Sequence, residues 1–102
     1  MSSTDPMLLR AIATHQAGRR AEAKAMYERI LRRRANDPDA LNFLGMLVFQ
    51  QGNQARGVAL LQRSVKSAPG NSHAWLNLGK MLMEVGESEG GADAYERATD
   101  LA

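Results

Sequence analysis

Cysteine is absent from the 102 residues, which removes disulfide frameworks, thiolate metal sites and cysteine nucleophiles together. Aromatic residues make up 5% of the chain and proline three positions. No apolar run approaches the ~20 residues of a membrane span. The opening MSSTDP has neither the basic flank nor the apolar stretch of a secretory signal. These absences predict a soluble, cytoplasmic chain with no membrane partner. Length predicts one small domain over residues 1–102, large enough for a core. A net charge of +2 is too small to point to nucleic acid by itself.

What the chain does contain is repetition. Tyr-Glu-Arg occurs at Tyr27 and again at Tyr95, two steps of 34 residues apart, with Leu61 halfway. Gly18, Gly52 and Gly86 keep the same step, as do Ala11, Gly45 and Gly79, and Arg29, Arg63 and Arg97. Small residues recur at Ala23, Gly57 and Gly91. Within each unit Leu41, Leu44 and Val48, then Val58, Leu61 and Val65, hold the three-to-four spacing of a buried helix face. Glycine separates the two stretches, where a left-handed residue can end a helix. Pro38 and Pro69 mark the joints between units. The pattern predicts six helices near residues 5–17, 21–34, 38–51, 55–68, 72–85 and 89–101.

The period and its positions resemble the tetratricopeptide repeat family, whose 34-residue helix–turn–helix signature runs W-x2-L-G-x2-Y, then A-x3-F, then P. The third unit supplies Trp75, Leu78, Gly79, Leu82, Gly91 and Tyr95. The second supplies Leu41, Leu44, Gly45, Val48, Gly57, Leu61 and Pro69. The first departs most, with Met7, Arg10, Ala11 and Thr14 before a good Ala23 and Tyr27, and with Ala35 in place of proline. The resemblance implies an all-α, right-handed α-solenoid of three repeats, at about 4–37, 38–71 and 72–102. It also implies a concave face lined by the first helix of each unit, holding a peptide or a partner helix. On that reading the repeated tyrosines are packing residues and their Glu-Arg neighbours are solvated.

With the core positions set aside, Asp5, Leu8, Ile12 and His15 remain on the first helix of unit one. Asp39, Asn42, Met46 and Phe49 remain in unit two, and His73, Leu76, Lys80 and Met83 in unit three. Each set steps by three or four residues and so forms one stripe along a helix. Leu8, Ile12, Met46, Phe49, Leu76 and Met83 predict an exposed apolar patch, which in a monomer marks a partner site. Methionine there adapts to differently shaped partners. Asn42, His73 and Lys80 are the expected polar contacts. A clamp for a chaperone's carboxylate tail is disfavoured, because of the corresponding positions Leu8, Ile12, Phe43, His73 and Asn77 only the last two could supply the cationic or amide donors that it needs. Asn42 and Asn77 are similar to the asparagine-lined grooves of repeat regions joined to glycosyltransferases.

Charge is unevenly spread: residues 1–37 carry +4, residues 38–71 carry +2 and residues 72–102 carry −4. Arg29, Arg32, Arg33 and Arg34 sit near the end of the second helix, where cations favour the helix dipole. They also predict a patch for an acidic partner, or for the acidic end of another copy. Without interleaved aromatics they do not favour nucleic acid. His15 and His73 are isolated histidines, so neither a metal site nor a cofactor is expected. Gly90-Gly91 lacks the lysine and hydroxyl of a phosphate loop and predicts a ragged start to the last helix. The function expected is non-catalytic protein interaction. The rivals are self-assembly through the terminal helices, and service as the repeat arm of a larger protein such as a glycosyltransferase, with which the stop at Ala102 is consistent.

Overall fold

The computed structural model describes residues 5–102. Six helices follow in order: α1 (Pro6–Gln16), α2 (Arg20–Arg33), α3 (Pro38–Gln50), α4 (Gln54–Ser67), α5 (Ser72–Glu84) and α6 (Ser88–Leu101). All lie within about one residue of the boundaries that the periodicity predicts, and no described residue is in a strand. Asp5 and Asp37 cap α1 and α3, each accepting from backbone N–H groups of the first turn, with Pro6 and Pro38 at the first helical position. Asn53 and Asn71 do the same for α4 and α5. Each such cap satisfies donors that the helix itself leaves unpaired.

The turn inside each unit is one motif used three times. Gly18, Gly52 and Gly86 have φ of 86°, 100° and 90°. At the middle one, the Gly52 N–H donates to the Phe49 carbonyl and the Asn53 N–H to the Val48 carbonyl, at 3.0 and 2.9 Å. That pairing closes the end of α3 as a left-handed glycine does.

The backbone of α3 approaches those of α1 and α5, while those of α2, α4 and α6 do not approach one another among the described residues. First helices therefore lie on the inner side of the curve and second helices on the outer, giving a solenoid of three helix pairs. One apolar cluster joins Leu8, Tyr27, Ile30, Leu41, Leu44 and Leu47 across the first joint. A second joins Phe49, Leu61, Val65, Leu78 and Leu82 across the next. The tightest crossing is α3 on α4, where a Cβ on Gly57 would stand 2.7 Å from Phe49 Cβ and 2.8 Å from the Gly45 carbonyl oxygen.

Two expectations about the last helix resolve differently. Tyr95 is half-buried and Leu101 is exposed, as expected where no further helix covers them. The start of α6 is regular, however, and begins at Ser88. Gly90 and Gly91 thus fall inside the helix, and the Met83 sulfur would lie 2.7 Å from a Cβ on Gly91. Glycine there leaves room for the Met83 side chain at the crossing with α5.

Candidate functional site

The polar chemistry of α1 turns inward. His15 Nδ1 lies 3.1 Å from the Tyr27 hydroxyl, and the two rings meet edge to face at 5.9 Å. Burial pushes the Tyr27 hydroxyl up to about 12. Burial first, then the nearby Arg20 charge, lowers the pKa of His15. A neutral imidazole accepting the tyrosine proton satisfies both groups. His15 is thus a partner of the core tyrosine, which stacks on Phe43 at 6.0 Å on its other side.

Leu8 is buried at 5% exposure, and Ile12 is half-buried against the same cluster. The reason is that α1 rests on both α2 and α3. Phe49, at 8% exposure, sinks onto Gly57, where no Cβ holds it off. The continuous exposed apolar patch expected along the first helices is therefore corrected: Leu8 and Phe49 are core, Ile12, Met46 and Leu76 are half-buried, and Met83 is 45% exposed. Asp39 is half-buried and His73 exposed. Burial first, and then the Asp37 charge, raises the pKa of Asp39.

What the fold does assemble lies between α3 and α5. Met46, Phe49 and Lys80 line a depression of about 480 Å³ together with Gln50, Gln54, Asn77, Met81 and Glu84. Asn77 donates to Asn42 Oδ1 at 3.2 Å, with the Met46 sulfur 3.3 Å from the same nitrogen. Asn42, buried at 5% exposure, thus links two repeats through its side-chain oxygen. Gln50, Glu84 and Gln54 were missed by the stripe reading because they stand at helix ends, where the depression opens. Their signal was sequence proximity to a turn glycine, Gly52 for Gln50 and Gln54 and Gly86 for Glu84.

The arginine run divides between faces, because successive helical residues diverge by about 100°, and only Arg29 and Arg33, four residues apart, stay together beside Met7. Arg29 lines a small crevice with Met7, Arg10 and Met26, and an Arg33 guanidinium nitrogen lies 3.5 Å from the Met7 sulfur. Arg34 is engaged internally, paired with Asp5 and, at 3.1 Å, with Asp37. Arg32 alone turns toward α4, into an outer groove of about 500 Å³ that it shares with Arg56 and Arg63.

No described helix is long and apolar enough to cross a membrane. The chain is matched by the family model "Tetratricopeptide repeat" over residues 8–72 and again over 55–102. It is 31% identical over 98 residues to cellulose synthase 2 operon protein C of Komagataeibacter xylinus, a match that spans 96% of this chain and 8% of that one. Among solved structures, an O-GlcNAc transferase mutant of Thermobaculum terrenum superposes with a TM-score of 0.89 at 27% identity, over 99% of this chain and 20% of that one. MamA of Desulfovibrio magneticus superposes with a TM-score of 0.81 at 24% identity, over 94% of this chain and 54% of that one, a likeness of fold alone.

Proposed function

The chain belongs to the tetratricopeptide repeat family, and on that premise we propose that it is a non-catalytic interaction module that takes up a peptide or partner helix on its first-helix face. The observation that carries the reading is the depression between α3 and α5, where Met46, Phe49 and Met81 meet Asn77, Lys80 and Glu84. Apolar walls supply affinity there, and a few polar groups fix orientation. Capture centres on α3 and α5, because Leu8 of α1 is spent on the core and Ile12 is half-buried against it. His73, Leu76 and Met83 extend the surface along α5. The test is selection of binders from a displayed peptide library, followed by measurement on Lys80→Glu and Glu84→Lys chains of unchanged helicity. Affinity is expected to fall at least ~10-fold on one or both changes. Binders indifferent to both would sink the reading.

A second reading draws on length. The chain spans 8% of the cellulose synthase operon protein and 20% of the transferase, which supports a role as the repeat arm of a longer protein engaged in glycosyl transfer. Incorporation of labelled sugar nucleotide into polymer, in cells with and without the chain, decides it. Unchanged incorporation eliminates this role. Pairing between copies would instead draw on Leu9 and Leu101, exposed at 53% and 44%. Light scattering that gives a monomer at every concentration would remove that alternative.

A further inference from the structure

The outer face carries a second surface that neither the concave reading nor the family resemblance uses. Arg32 of α2 and Arg56 and Arg63 of α4 rim a groove of about 500 Å³ whose accessible apolar surface is the half-buried Leu31, with the buried Leu44 and Leu60 beneath it. Beyond its end, Arg63 and Lys66 line a neighbouring depression of about 390 Å³ with Asn36 and Ser67. Against these four cations the two depressions hold one acid, Glu28, which stands 3.5 Å from Arg56. Arg63 is held in place by donating to the Ala35 carbonyl at 2.8 Å, so its charge is positioned at the rim.

We propose that this outer groove docks an acidic, amphipathic segment of a partner protein, with carboxylates on the arginine rim and an apolar side chain against Leu31. The charge imbalance selects an anion, and guanidinium groups pair with carboxylates in a fork geometry. The apolar surface at Leu31 selects a peptide over a nucleic acid, because a phosphate backbone offers nothing to bury on it. Arg56 and Arg63 stand two turns apart on α4, about 10 Å along the helix. A helical segment with glutamates at the same interval matches them. Arg56 exchanges its internal Glu28 contact for one from the partner.

The experiment uses fluorescence anisotropy on the whole chain with a short labelled peptide carrying glutamates one and two helical turns apart and leucines between them. Expected results are binding that weakens as salt rises and a loss of at least ~10-fold on Arg32→Glu or Lys66→Glu. Little change is expected on Lys80→Glu, which lies on the concave face and reports only on the function proposed above. Circular dichroism checks that each variant folds, and Arg63→Gln provides a milder change should charge reversal disturb the joint. Equal binding of a peptide with serine in place of leucine, or of duplex DNA of similar charge, would reduce the groove to a diffuse positive field and overturn the proposal. So would loss of binding on Lys80→Glu alone. Association of the chain with itself that Arg32→Glu abolishes would assign the groove to the acidic α6 of another copy instead.

Discussion

The first two helix pairs follow one register and close in different ways. Between α3 and α4 the crossing is made by Gly45 and Gly57, and no Cβ fits at either. Between α1 and α2 the same positions are Ala11 and Ala23, both fully buried. Where the central pair has Leu61, the first has Tyr27, whose hydroxyl is answered by His15. The 34-residue period fixes where helices cross, while side-chain size at the crossing fixes how closely. A larger, polar core residue then brings a hydrogen-bonding obligation with it.

The largest expected effect contrasts Leu44 with Arg10, which share one register position. Leu44 is completely buried, because α2 covers that side of α3, whereas Arg10 is exposed. Leu44→Ala should cost about 2–5 kcal/mol, and Arg10→Ala should stay within about 0.5 kcal/mol, both read by urea unfolding. Similar losses at the two positions would contradict a core centred on the middle repeat. Next come the crossings themselves. Gly57→Ala forces α3 and α4 apart and should cost about 1–3 kcal/mol. Ala23→Gly, the mirror change in the first pair, should cost about 1 kcal/mol, through helix propensity. A neutral Gly57→Ala would mean the two crossings are equally loose.

His15 and Tyr27 sharpen the contrast chemically. His15→Ala leaves the buried tyrosine hydroxyl without a partner and should cost about 1–3 kcal/mol. The further change Tyr27→Phe should return part of it. Tyr27 has its hydroxyl pushed up to about 12 by burial, from an ordinary value near 10. A raised pKa contributes stability that is intact below the ordinary value and lost as pH rises through the folded one. Melting temperature should therefore fall between about pH 10 and 12, and the Tyr27→Phe chain should lack that part of the fall. Identical alkaline limbs would show that the hydroxyl is not buried in solution.

Much of the fold was legible because a repeat states its pattern three times. Gly18, Gly52 and Gly86 mark the turns, and the 3.6-residue period supplies the helices between them. The candidate site was less legible. The stripes on α1, α3 and α5 were read from one helix at a time, whereas exposure is decided between helices. Phe49 sinks into the wall of the depression because Gly57 is small, and Asn42 is tied down because Asn77 reaches it from the next repeat. His15 appeared as an isolated histidine, since its partner is twelve residues away on another helix. The arginine cluster misled for a related reason: residues adjacent in sequence point in different directions on a helix. The outer groove draws Arg32 from one repeat and Arg56 and Arg63 from the next.

The smallest expected effect separates two aspartates, one at the start of each of the first two repeats. Asp5 has its pKa lowered, chiefly by the hydrogen bond from Arg34. A lowered carboxyl pKa contributes stability that is present above the ordinary carboxylate value and lost as pH falls through the folded one. Asp39 has its pKa raised, by burial and then by the Asp37 charge, so its protonation favours the folded state as pH falls. The two groups tilt the acid limb of the stability curve in opposite directions. Asp5→Asn, which keeps a capping side chain, should make the acid limb shallower, and Asp39→Asn should make it steeper. Urea midpoints measured from neutral pH down to below the ordinary carboxylate value read both slopes. Because both groups are partly solvated, each change should be modest, and the test rests on its sign. A shift of the same sign in both variants would mean that the two helix starts, alike in their Asp and Pro residues, also share one electrostatic environment.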